Sequence, residues 1–134
     1  MNNSKLNLLK KLQWLDWGTL CIGVKGLPGV SIDPADISDY ACSNINEVDE
    51  TNDVFISVAE LAYCDEISDE TLKHLERLAE WYNIDIHLSA RKWRLVAFME
   101  LLDNLNDDYI YALLDLNSFW NQWEGNDTPD VVQG

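Results

Sequence analysis

The side chains best equipped for chemistry in this 134-residue chain are carboxylates. Asp33, Asp36 and Asp39 recur at every third position, which on a helix sets them along roughly one face. Three carboxylates so placed can ligate a divalent cation through oxygen, or receive a lysine or arginine from elsewhere. The alternative, preferred here, is a solvated helix face on which Asp33 acts as the N-cap. Asp49, Thr51, Asp53 and Glu60 reproduce the first, third, fifth and twelfth positions of a calcium loop. Val54 stands where that loop needs a glycine, and the positions after it are mostly apolar, so the match is read as accidental. No metal and no other cofactor is expected.

Other chemistry is thinly represented. His74 follows Glu70 by four residues and could form a modest surface ion pair, while His87 sits in an alternating segment. Both are read as ordinary surface or boundary histidines, since a histidine gains chemical force mainly from tuned neighbours. The glycines at 18, 23, 26 and 29 are not followed by Gly-Lys-Ser/Thr, and no Gly-x-Ser-x-Gly, kinase or zincin signature occurs. The expectation is a protein that is not an enzyme.

Charge is the strongest signal. The formal net charge is −15. Residues 1–25 hold four lysines against Asp16, residues 26–72 hold twelve acids and no lysine or arginine, and the remainder holds eleven acids against five bases. A field of this sign repels phosphate, so nucleic acid and anionic membranes are not expected partners. It attracts a cationic protein and speeds encounter with one. Acidity for solubility alone is the rival reading.

The elements that must position these groups read as helices. Lys5 to Trp17 places Leu8, Leu12 and Leu15 on one face, and Gly18 is expected to stop it as a C′ glycine. Thr19 to Val24 reads as a strand or a buried link, followed by a loop through Gly29. Asp33 and Pro34 predict a helix start that runs to about Asn44, burying Ile37, Tyr40 and Ala41. Residues 46–53 read as an exposed acidic loop. Residues 54–64 mix β-branched with helix-favouring types and are assigned to helix on length. Ser68 caps an amphipathic helix with an apolar stripe of Leu72, Leu75, Leu78, Ala79 and Tyr82. Ile84, Ile86 and Leu88 alternate like a short strand, which could pair with Thr19–Val24.

Ser89 is expected to cap a central helix from Ala90 to Leu105, which sets Arg91, Lys92 and Arg94 in a first turn that disfavours cations. Acids of the 46–53 loop are one source of compensation. The last helix is expected to run to Trp123 with Tyr109, Leu113, Leu116, Trp120 and Trp123 inward. The pairs Trp14 with Trp17 and Trp120 with Trp123 are read as core. The fold class is therefore mainly α: a bundle or short stack of five to six helices with room for one two-strand pairing. Residues 1–124 form one domain, and residues 125–134 a tail.

Apolar residues make up 47% of the chain and include six tryptophans, enough to fill a core. Lys5, Lys10 and Lys11 interrupt any apolar leader, and no stretch nears the roughly 20 apolar residues a membrane helix needs. Cys21, Cys42 and Cys64, odd in number and widely spaced, read as buried free thiols in a reducing compartment. The expectation is a cytoplasmic monomer.

Two resemblances add to this reading. Leu12-Gln13-Trp14-Leu15-Asp16-Trp17-Gly18, Ile37-Ser38-Asp39-Tyr40-Ala41 and Arg91-Lys92-Trp93 resemble stretches of a helical bacterial family catalogued as a domain of unknown function, over residues 6 to 123. The chain also looks like the small acidic immunity proteins of bacterial contact-dependent inhibition and polymorphic toxin systems. That likeness implies a one-to-one complex with a cognate basic toxin domain, commonly a nuclease, whose cationic substrate channel an acidic inhibitor can occupy. The candidate contact residues are Asp33, Asp36, Asp39, Glu47, Asp49, Glu50 and Asp53, with Asp65 and Glu66 next. A general nucleic-acid mimic and, third, a carboxylate-based metal enzyme are the alternatives.

Overall fold

A left-handed residue divides the first expected helix into two. Gln13 has φ 61°, its N–H reaches the Lys10 carbonyl at 3.0 Å, and the Trp14 N–H reaches Leu9 at 2.9 Å. These two bonds form a Schellman stop with glutamine in the place glycine usually takes. The computed structural model describes residues 4–105 and 107–123, so this first helix, α1, spans Ser4–Lys11. Asp16 then opens α2 (Trp17–Lys25), its carboxylate accepting from the Thr19 N–H at 2.8 Å while the Thr19 hydroxyl accepts from the Asp16 N–H at 2.9 Å. Gly18 is therefore not a helix stop but lies inside the first turn of α2. Thr19–Val24 is helix rather than strand.

The remaining elements are α3 (Pro34–Asn44), a 3₁₀ turn at Ile45–Glu47, α4 (Phe55–Ala62), α5 (Asp69–Trp81), α6 (Ile86–Asp103) and α7 (Tyr109–Trp123). The protein is thus a mainly-α bundle. Among the described residues the only β feature is an isolated bridge between Leu27 and Val30, so the expected two-strand pairing does not form. Its second half, around Ile84 to Leu88, instead begins α6. Asp85 caps that helix by accepting from the N–H groups of His87 at 2.9 Å and Leu88 at 3.4 Å. Ser89 is buried inside α6, one turn beyond the cap assigned to it. Arg91, Lys92 and Arg94 consequently lie past the first turn, and the expected clash with the helix dipole disappears.

The core forms where α2 lies between α5 and α6, with α1 on α6 and α4 joining α3 to α5. Trp93 of α6 is wholly buried and donates its indole N–H to the Thr19 carbonyl of α2 at 2.7 Å. A Cβ on Gly18 would stand 2.4 Å from both Ile84 Cγ2 and Ser89 Oγ, which explains glycine at this approach of α2 to α6. Lys92 crosses the same seam to Asp16 at 3.1 Å, and Lys5 of α1 bonds Glu100 of α6 at 2.8 Å. The stripe of α5 is as expected at Leu75, Leu78 and Ala79, which are buried, but Tyr82 falls in the C-cap and is half exposed.

α7 departs most from expectation. Phe119 and Trp123 are buried, but Tyr109 is 87% exposed, Leu113 65% and Trp120 49%. Its principal neighbour is α6 alone, so one stripe of α7 is covered and the rest faces water. The expected tail at 125–134 lies outside the described residues. No helix among the described residues is long and apolar enough to cross a membrane.

Candidate interaction surface

The acid-rich segment folds into a helical hairpin. Ser38 and Cys42, in the middle and second half of α3, both reach the carbonyl of Ala62, the last residue of α4, at 2.7 and 3.8 Å. With the contact of α4 on the 3₁₀ turn that ends α3, this sets α3 and α4 as an antiparallel pair. The nine candidate acids are spread along this pair. Asp33 caps α3, Asp36 lies in its first turn and Asp39 at its middle, while Glu47, Asp49, Glu50 and Asp53 follow its C-terminal end and Asp65 and Glu66 follow α4.

The individual roles differ. Asp33 is the N-cap residue of α3, and its N–H donates to the Asp36 carboxylate at 3.0 Å, so Asp36 helps start the helix. Asp36 is half-buried, and Asp39 is exposed beside a shallow hollow shared with Lys10 and Tyr40. Asp49 accepts the Thr51 N–H at 3.0 Å and the Thr51 hydroxyl at 2.9 Å. These bonds, the backbone one first, hold its carboxyl below the usual carboxylate value and keep it charged. Glu47, Glu50, Asp53, Asp65 and Glu66 are exposed.

No ion pair among the described residues engages any of the nine, because the three present join Lys5 to Glu100, Lys25 to Glu76 and Lys92 to Asp16. Arg77 of α5 does reach the far loop, but it donates to the Asp53 carbonyl at 3.2 Å. Lys92, considered above as a neutraliser of this loop, is held by Asp16, and Arg94 lies 5.8 Å from the Trp120 ring centre.

Beside these acids lies an apolar strip that the sequence reading did not single out. Ile56 is 68% exposed and Tyr63 86%, and with the exposed Glu60 they follow the i, i+4, i+7 spacing of one helical face. The outward side of α4 thus offers two large side chains flanked by carboxylates. The signal was present as a seven-residue spacing, but it has meaning only once 55–62 is known to be helix.

The metal constellations considered above do not assemble among the described residues. Asp33, Asp36 and Asp39 do not converge, and no group of three His, Cys, Asp or Glu side chains could hold an ion. Glu60 projects from α4 instead of closing a calcium loop. His74 is half-buried with its Nδ1 3.1 Å from the hydroxyl of buried Ser57, which makes it a packing histidine. The thiols differ from expectation: only Cys21 is buried, its pKa pushed up to about 11 by that burial, whereas Cys42 is exposed and Cys64 half-buried.

A family model for uncharacterized proteins conserved in bacteria, DUF2247, matches residues 6–131. This chain belongs to that family. The DUF2247 match covers the whole described bundle from Leu6 onward and extends past Trp123. No curated protein and no solved structure matches the chain. The DUF2247 description names no activity, so the functional reading rests on the surface.

Proposed function

We propose that this DUF2247 protein is an immunity protein that binds and neutralises a basic toxin domain, with a nuclease as the target class and the α3–α4 hairpin as the contact. The observation that carries the reading is a run of carboxylates along the α3–α4 pair, without ion pairs among the described residues, on the same hairpin as the exposed Ile56 and Tyr63. Carboxylates spaced across a hairpin suit a cationic groove, and they raise the association rate with it. An exposed tyrosine and isoleucine supply what charge alone does not, because anchors that bury fully on contact slow dissociation. Inhibition would follow from occupying the channel that nucleic acid needs.

The test is capture from the bacterial host with wild-type bait and with bait carrying Asp49→Lys, Glu50→Lys and Asp53→Lys. The captured protein is then titrated against both baits in a nuclease assay. One basic domain held and inhibited by wild type, with affinity reduced at least ~100-fold by three reversals of roughly 1 kcal/mol each, supports the reading. Equal affinity for both baits sinks the assignment of this surface. Capture of many basic proteins, all released by moderate salt, points instead to a general nucleic-acid mimic.

A further inference from the structure

A small cleft lies at the C-terminal end of α3, bordered by four segments of the chain. Trp17 opens α2, Tyr40 and Asn44 lie in the second half of α3, Glu47 sits in the 3₁₀ turn, and Tyr82 is the C-cap of α5. The space between them is about 290 Å³. That falls just under the roughly 300–1,000 Å³ of sites for drug-sized ligands, so it suits the head of one side chain better than a whole cofactor. Trp17 is buried and stands nearly perpendicular to the Tyr40 ring, with centroids 4.7 Å apart, which holds that ring in place. Tyr82 is 47% exposed and forms an outer wall.

The electrostatics of the cleft are one-sided. Among the described residues no lysine or arginine lines it, whereas Asp16 and Glu47 do. Asp16 is already engaged, capping α2 and pairing with Lys92 at 3.1 Å. Glu47 is exposed and takes part in none of the three ion pairs among the described residues. Both α3 and α5 end here, and neither carries a basic residue in its last turn, so two helix dipoles leave partial negative charge at the rim. Burial first, and then the charge of Asp16, pushes the Tyr40 phenol up to about 12 and keeps the ring neutral.

One available carboxylate supplies too few oxygen donors for a bare divalent ion. An organic cation needs fewer, because aromatic walls attract it as well. A guanidinium fits this combination better than an ammonium, being planar and weakly hydrated, able to stack on rings and to fork onto a carboxylate. We propose that the cleft is a subsite for a guanidinium group, supplied by an arginine side chain of the basic partner. Glu47 belongs both to the cleft and to the acidic run of the α3–α4 pair, so the two surfaces are continuous. Only the owner of the arginine rests on the function proposed above; the capture of a guanidinium does not.

Two capped amino acids of equal charge, N-acetylarginine amide and N-acetyllysine amide, test the subsite by amide NMR titration of the full chain. The arginine probe should give saturable shifts confined to the surroundings of Trp17, Tyr40 to Val48 and Tyr82 to Ile84, with affinity at least ~5-fold above the lysine probe. Glu47→Gln and Tyr82→Ala, both at exposed positions, should each weaken it ~5-fold with the unfolding midpoint unchanged. Equal response to the two probes overturns the proposal, because a net charge of −15 attracts both alike. So does retained affinity in either variant. Neither result bears on the lysine reversals at Asp49, Glu50 and Asp53, which test the partner separately. With a captured partner in hand, unchanged affinity of Glu47→Gln for it would overturn the partner's arginine as the source and assign the cleft to a free guanidino compound.

Discussion

The α3–α4 hairpin and the α6–α7 pair expose two different kinds of surface. The first is rich in carboxylates, with two large apolar side chains among them. The second is broadly apolar, with charges of both signs at its edge. Both expose large side chains, yet for different reasons. On α4, Ile56 and Tyr63 stand out of a helix whose other face is well buried through Val58 and Leu61. On α7 only one stripe finds cover at all. Exposure of an apolar residue is informative when it comes with a pattern, and the two patterns here differ in the charge that surrounds them.

The most severe way to break this contrast is to remove what both regions rest on. Trp93→Ala leaves a void at the α2–α6 seam and orphans the Thr19 carbonyl, and should lower unfolding free energy by about 3–5 kcal/mol. Denaturant melts should remain a single transition, and survival of one region alone would mean that the two are separate folding units. Gly18→Ala is next, at about 1–3 kcal/mol, because the new methyl must displace Ile84 and Ser89. The same melts would read it, and a neutral result would mean that α2 and α6 can separate freely.

Salt sharpens the contrast with smaller effects. Raising ionic strength should weaken binding of the proposed basic partner several-fold by screening attraction, while the denaturant midpoint of the core seam changes less. Titrations at low and moderate salt would check the difference. The smallest effect is expected with acid. Glu100 has its carboxyl held below the ordinary 4.5, chiefly by Lys5 and then Ser4. A depressed folded pKa gives stability that is present above 4.5 and lost as pH falls through the folded value. The contribution, about 0–1 kcal/mol for a partly exposed pair, should appear as faster amide exchange in α1 in that acid window, with α3 and α4 unaffected.

Some of this architecture is readable from residues alone. Asp33-Pro34 marks the start of α3, and Ser68 with Leu75, Leu78 and Ala79 marks α5, because caps and periodicity agree there. They disagree at α1, where apolar spacing runs unbroken from Leu8 through Leu15 across a stop made by a glutamine. The Asp16-x-x-Thr19 box was the available sign of the second helix. At α6, Asp85 and Ser89 are both plausible caps by type, and only packing of Ser89 against Gly18 places the latter inside. The acidic segment is visible as composition, but its folding into a helical pair follows from α3–α4 contact, which leaves no local mark. For α7, sequence shows which residues are apolar and is silent on whether anything lies opposite.

The α2–α6 seam also orders events during synthesis. Its hydrogen bond links Thr19 to Trp93, and the Lys5–Glu100 contact spans 95 residues. The α3–α4 hairpin can close as soon as it clears the ribosome, since its two helices are neighbours in the chain. α1 and α2 must wait until α6 has emerged, holding Leu6, Leu9 and Leu20 without their final cover. A ribosome stalled before α6 should therefore display the acidic hairpin formed and the amino-terminal helices open to a chaperone.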